Sequence, residues 1–114
     1  MKNLLTHHWA LIAALWYFVN GLLHNIFVIR AHKGGYDREL LRLLMDGHVL
    51  LLSGTLAFIC WMMAQNKMQY AGILGLVTGI FMLIYCALIF PFLPSVVTIL
   101  VSIFFVTASI VMIA

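Results

Sequence analysis

The feature that most constrains this chain is the segment from Met68 to Ala114, 47 residues without a single charged side chain. A soluble domain cannot cover its surface with such a segment, because about a quarter of the residues in an average soluble domain are charged. Only 8% of the whole chain is charged, and 66% of it is hydrophobic. The sequence therefore predicts an integral membrane protein. It excludes a soluble globular domain, a disordered segment and a nucleic-acid-binding protein.

Four apolar segments are long enough to cross a bilayer, for which a helix needs about 20 residues. Gly34 and Gly35 end the first segment, and Pro91 and Pro94 divide the last two. The predicted spans are residues 4–29, 40–63, 68–90 and 95–114. Short connections make neighbouring helices antiparallel. We therefore predict an all-α fold, a single transmembrane domain over residues 1–114 built as an up-down four-helix bundle.

The basic residues predict the orientation of the bundle. Four of the six lie in or beside the first connection, namely Arg30, Lys33, Arg38 and Arg42. Lys2 and Lys67 lie at the opposite end. Because Lys and Arg favour the cytoplasmic side, we expect the first and third connections in the cytoplasm and both termini outside.

Polar side chains within the spans gather at one depth, close to the first connection. His24 precedes Ile29 by five residues and His48 follows Leu43 by five, which places both imidazoles about 7–8 Å below the same interface. Asn20 lies four residues before His24 and shares its helix face. Ionisable groups are costly in a bilayer, so this polar layer is the predicted ligand-binding site. Its members are Asn20, His24, Asn25, Arg42, Asp46, His48 and Tyr85, with Cys86, Ser95, Thr98 and Ser102 at similar depth.

Structural interpretations compete with ligand binding in this layer. Arg42 and Asp46 are four residues apart, a spacing that favours an interfacial ion pair. The polar residues of the first span are also suited to hydrogen bonds between helices. Asp46 and His48 lie about 200° apart around a helix, so a direct pair between them is not expected.

Three glycines of the third span, Gly72, Gly75 and Gly79, lie near one helix face. The Gly75-x-x-x-Gly79 spacing allows two helix backbones to approach closely. The expected partner is the first or fourth span of the same chain, and the alternative is a second copy in a homodimer.

The sequence lacks a complete set of ligands for a metal or a cofactor. Only His24 and His48 are candidate metal ligands, and a zinc site would need a third. Haem b held by both is disfavoured, because neighbouring helices about 8–10 Å apart leave little room for an iron between two imidazoles. No catalytic triad or carboxylate pair shares a face, so we expect no enzymatic activity.

Parts of the sequence resemble a family of small four-helix inner-membrane proteins known only as a domain of unknown function, with bacterial members and a eukaryotic transmembrane counterpart. Members carry Gly-Ala-Phe-Gly-Ala-His late in the first span and an aromatic-x-x-x-His-x-Leu-Ala stretch early in the second. Gly21-Leu22-Leu23-His24 and His48-Val49-Leu50-Leu51-Leu52 stand in those places, and Tyr85-Cys86-Ala87-Leu88 resembles the end of the third span. The resemblance implies the four-helix fold and the bacterial cytoplasmic (inner) membrane, without a known activity.

The favoured function is binding of a lipid-like or quinone-like amphiphile in the polar layer, or docking as an accessory subunit on a larger membrane complex. The alternatives are an oligomeric transporter, for small solutes or coupled to protons, and a haem- or metal-binding subunit. Expected partners are membrane lipids and either a larger complex or a second copy.

Overall fold

Four helices make up the chain in the computed structural model, which describes residues 2–91 and 96–113, with side chains from residue 8 onward. The helices are α1 (Lys2–Ala31), α2 (Arg38–Gln65), α3 (Ala71–Ile89) and α4 (Val96–Ile113). All four are long and apolar enough to cross a membrane, which indicates a membrane protein. The prediction of four long helices is confirmed, and the described residues contain no strand. The predicted limits at Ser95 and Ala114 and the break at Pro94 lie outside the described residues.

The connection between α1 and α2 is short and held by a helix cap. The Leu40 N–H donates to Asp37 Oδ1 over 2.9 Å, which satisfies one free backbone group at the start of α2. His32 Nε2 lies 3.2 Å from Asp37 Oδ2. The Leu40 N–H bond, with a smaller contribution from His32, holds the pKa of the Asp37 carboxyl below its usual range. Gly34 adopts a φ of 113°, which turns the chain at low steric cost.

The turn between α2 and α3 covers residues 66–70, so α3 begins at Ala71, three residues after the predicted start of the third span at Met68. Lys67 has a φ of 55°, in the left-handed region. A residue in that conformation cannot continue a right-handed helix. The backbone N–H of Met68 instead donates back to the Met63 carbonyl over 2.9 Å. This arrangement closes the end of α2 in the way typical of left-handed helix caps.

Glycines bring α1 and α2 into close contact. A Cβ added to Gly21 would lie 2.9 Å from the Gly47 carbonyl oxygen, and one added to Gly54 would lie 2.9 Å from the Phe18 backbone nitrogen. Both distances are shorter than real Cβ contacts allow. The two backbones therefore touch where these glycines stand, as small residues permit in membrane helices.

Each helix packs against two neighbours, with α1 beside α2 and α4, and α3 beside α2 and α4. Small and aromatic side chains fill the centre, where Tyr17 and Phe105 are fully buried. Hydrogen bonds join α1 to α4: Tyr17 Oη lies 2.6 Å from Ser102 Oγ, and Trp16 Nε1 donates to Thr98 Oγ1 over 3.0 Å. The outer surface is apolar, with the side chains of Phe27 and Leu88 both 71% exposed, as a lipid-facing surface requires.

Candidate functional site

The bundle contains a cleft between α1 and α2 at the end that carries the residue 32–37 connection, called the charged end below. This outer cleft has a volume of about 550 Å³. One wall consists of His24, Phe27, Val28 and Ala31 of α1 together with His32, which directly follows α1. The α2 wall consists of Glu39, Leu43 and Asp46. The lining therefore combines an apolar surface with two imidazoles and two carboxyl groups.

A smaller inner cavity of about 90 Å³ lies deeper in the bundle and is lined from all four helices. Its polar lining is Asn20 and His24 from α1, Asp46 from α2, Tyr85 and Cys86 from α3, and Thr98 from α4. Leu50 and Ile89 complete the wall. The inner cavity thus collects polar groups from every helix at one level.

Hydrogen bonds hold the polar groups of this cavity in place. The Tyr85 hydroxyl donates to Asp46 Oδ1 over 3.0 Å, which links α3 to α2. His24 Nε2 lies 3.0 Å from the Leu43 carbonyl oxygen, which links α1 to α2. The Asn20 amide donates to the Trp16 carbonyl over 2.8 Å. These bonds join different helices or anchor a side chain to its own helix, and they fix the orientation of the polar groups that line the cavity.

His24 and Asp46 line both the outer cleft and the inner cavity. They therefore form the boundary between the two spaces. A polar group that entered the outer cleft would meet an imidazole and a carboxyl group at its inner end, with Tyr85 directly behind. Four predicted site residues, Asn20, His24, Asp46 and Tyr85, are brought together in this way.

Two predicted site residues of α2 lie apart from the cavities. His48 is exposed, and its Nδ1 lies 3.1 Å from the Leu44 carbonyl of its own helix. The same rotation of about 200° that separates His48 from Asp46 turns it away from the cavities. Arg42 is exposed, and the expected ion pair with Asp46 is not formed, since the one ion pair among the described residues joins His32 to Asp37.

Asn25 also lies outside both cavities and takes part in the contact between α1 and α2. Its amide occupies the space that a side chain at Gly47 would fill. Its Oδ1 is buried without a hydrogen-bond partner among the described residues. Asn25 therefore packs against the Gly47 backbone. It follows His24 in the chain and so lies on a different face of α1 from the one on which His24 reaches the cleft.

The glycines Gly72, Gly75 and Gly79 are buried and face α4 of the same chain. A Cβ on Gly72 would lie 2.9 Å from the Ser109 carbonyl oxygen, and one on Gly79 would meet the Val106 side chain. The stripe is used within the chain, which leaves no free glycine surface for the homodimer alternative.

Among the side chains described in residues 8–91 and 96–113, no three His, Cys, Asp or Glu are placed to hold a metal ion together. His24 faces the cleft while His48 faces outward, so the two imidazoles do not converge on one iron or zinc. Haem ligation by this pair does not fit the geometry.

The sequence interpretation missed Glu39 and His32 as lining residues of the outer cleft. One signal for Glu39 was present, because it precedes Asp46 by seven residues and thus lies on the same face of α2. His32 follows the predicted end of the first span, and only the extension of α1 to Ala31 brings it to the cleft. No protein-family model matches the chain, and no curated protein or solved structure matches it either.

Proposed function

We propose that this protein binds the polar headgroup of a lipid-like or quinone-like membrane amphiphile in the outer cleft, with the headgroup against His24 and Asp46. The observation that supports this proposal is the position of these two residues, which line both the outer cleft and the inner cavity. A volume of about 550 Å³ also lies within the range of about 300–1,000 Å³ that is typical of small-molecule sites.

The lining of the outer cleft suits an amphiphile better than a water-soluble ligand. Phe27, Val28 and Leu43 provide an apolar wall, and Phe27 is largely exposed on the outer surface of the bundle. An acyl or isoprenoid chain could leave the cleft along this surface into the bilayer, while the headgroup stays among polar groups. Binding is also favoured over docking of a partner protein, because Asn20 and Tyr85 face the inner cavity and would not be reached by a partner on the outside.

A substitution that fills the cleft tests the proposal. Ala31→Trp places an indole in the outer cleft, and Ile29→Trp places the same group on the nearby exposed surface outside the cleft lining. The purified chain is transferred to mild detergent, and the phospholipids and quinones that it retains are counted by native mass spectrometry. We expect the wild type and Ile29→Trp to retain an amphiphile that Ala31→Trp loses. Equal retention by all three proteins would contradict binding in the cleft.

We further propose that the protein resides in the bacterial cytoplasmic membrane with its charged end in the cytoplasm. The excess of Lys and Arg beside the residue 32–37 connection supports this orientation. Cysteines introduced at Gly35 and Gln69 probe the two ends, and the native Cys60 and Cys86 are buried and give little background. A membrane-impermeant maleimide should label Gln69→Cys in intact cells and Gly35→Cys only after permeabilisation. The reverse pattern would show the opposite orientation.

A further inference from the structure

The outer cleft is lined by acidic residues, although the chain as a whole is basic. The protein has a net charge of +3 and only three acidic residues. Two of them, Glu39 and Asp46, line the outer cleft, and the third, Asp37, caps α2. None of the Lys and Arg residues whose side chains the structure describes is part of the cleft lining, although four of them lie at the same end of the bundle.

The two carboxyl groups lie at the two ends of the cleft. Glu39 belongs to the first turn of α2 and is exposed at the mouth, whereas Asp46 is half-buried at the inner end. Seven residues separate them on one helix face, which corresponds to about 10 Å along the axis. A cation entering from the connection side would therefore pass one carboxyl group and come to rest against the other.

Each imidazole of the cleft is hydrogen-bonded to an oxygen that belongs to neither Glu39 nor Asp46. His24 Nε2 lies against the Leu43 carbonyl, and His32 lies against the Asp37 carboxyl. Both imidazoles are thus already paired with an oxygen of the protein. At the inner end, the Tyr85 hydroxyl donates to Asp46 Oδ1 and offers its own oxygen as a further acceptor.

We propose that the occupant of the outer cleft is an amphiphile with an ammonium headgroup, such as an ethanolamine phospholipid, with the ammonium group against Asp46 and Glu39 at the mouth. This inference rests on the proposed function and narrows it to one headgroup class. An ammonium group has three N–H donors and a positive charge, which match carboxylate acceptors. A headgroup whose charge is only negative would meet two carboxyl groups without a Lys or Arg in the wall to balance them.

The test compares two lipids that share the phosphate and the acyl chains but differ in the rest of the headgroup. The full chain is reconstituted in bilayers of phosphatidylethanolamine and phosphatidylglycerol in equal amounts, with identical acyl chains. It is then extracted in mild detergent, and the retained lipids are counted by native mass spectrometry. A difference in retention reports the exchange of an ammonium group for an uncharged glycerol, and the variants below test whether the carboxyl groups cause it. We expect the wild type to prefer the ethanolamine lipid about tenfold, equivalent to about 1.4 kcal/mol.

Variants of the cleft lining separate the headgroup inference from the proposed function. Asp46→Asn and Glu39→Gln keep the shape of the lining and should each reduce the preference for the ethanolamine lipid. If the wild type retains both lipids equally, or prefers the glycerol lipid, while Ala31→Trp still abolishes retention, the ammonium inference is wrong and binding in the cleft stands. If Ala31→Trp retains lipid like the wild type, the proposed function itself fails.

Discussion

Replacing Gly21 with alanine should destabilise the bundle, because the contact between α1 and α2 has no room for a methyl group. The added Cβ would lie 2.9 Å from the Gly47 carbonyl oxygen, 2.9 Å from Leu51 Cγ and 3.0 Å from the Leu51 backbone nitrogen. Two of these three atoms belong to the backbone of α2, so no side-chain rotation relieves the overlap. The helices must separate, and packing along their contact is lost.

The magnitude follows from two opposing effects. Overpacking a close contact costs about 1–3 kcal/mol, and a contact with backbone on the opposite side belongs at the upper end of that range. Alanine recovers about 1 kcal/mol because it is a better helix former than glycine. We therefore expect Gly21→Ala to lower the free energy of unfolding by about 2 kcal/mol.

Gly79→Ala is the matched control for this substitution. Gly79 is also buried within a helix against a neighbouring helix, but the nearest atom to its added Cβ is a methyl group of Val106, which can rotate. A rotamer change costs about 0.5–1.5 kcal/mol and is offset by the gain in helix propensity, so the net change should be close to zero.

Equilibrium unfolding in mixed micelles of dodecyl maltoside and SDS, followed by the fluorescence of the three tryptophans, measures both changes. If Gly21→Ala proves as stable as Gly79→Ala, the Gly21 contact does not set the distance between α1 and α2, and the reasoning is refuted.

Three further predictions concern single polar contacts. Tyr17→Phe and Ser102→Ala should each lower the free energy of unfolding, with a coupling of about 0.6–1.7 kcal/mol in a double-mutant cycle, since their hydroxyls are hydrogen-bonded in the core; a coupling of zero would show that this bond does not contribute. Tyr85→Phe should cost about 1 kcal/mol in the same unfolding assay, and less in an Asp46→Ala background, because its hydroxyl donates to that carboxyl group. The folded-state pKa of Asp37 is lowered, chiefly by a backbone N–H in the first turn of α2. The ionised Asp37 carboxyl group therefore stabilises the fold above the unfolded pKa of about 4. This stabilisation is lost as the pH falls through the lower folded pKa. Asp37→Asn should therefore unfold with a weaker pH dependence below pH 4 than the wild type, and identical pH profiles would contradict the cap.

The helices were predictable to within a few residues because their boundaries have local causes. Gly34, Gly35 and Pro91 act on the backbone wherever they stand, and the apolar runs between them are long enough to leave no alternative. The start of α3 was misplaced because the turn before it depends on the left-handed conformation of Lys67. Lysine carries no sequence signal for that conformation, in contrast to glycine.

The depth of the polar layer was predictable, whereas its rotation around each helix was not. A rise of 1.5 Å per residue is the same in every helix, so the residues Asn20, His24 and Asp46 could be placed at similar levels. Which side of α2 faces the bundle depends on its contact with α1. Gly47 makes that contact, and it places Asp46, on one side of Gly47, in the cavity lining and His48, on the other side, on the exposed surface.

The same contact determines where the site forms. Every α1 residue of the outer cleft follows Gly21 in the chain, and every α2 residue of the cleft precedes Gly47. The second close contact, at Gly54 and Phe18, lies on the other side of the Gly21–Gly47 contact, and packed helices that cross at an angle diverge beyond the end of their contact. The outer cleft is the space that opens between α1 and α2 on the charged side of their glycine contact.

A substitution that separates the helices at Gly21 should consequently affect the site as well as the stability. The bond between His24 Nε2 and the Leu43 carbonyl spans α1 and α2 only one helical turn from Gly21, and its length of 3.0 Å leaves little tolerance. Gly21→Ala should therefore release His24 and reduce retention of the amphiphile, whereas Gly79→Ala acts between α3 and α4 and should leave retention intact. Since both variants remain helical, a loss of retention confined to Gly21→Ala would show that the position of the headgroup site depends on a backbone contact between helices, and not on its polar residues alone.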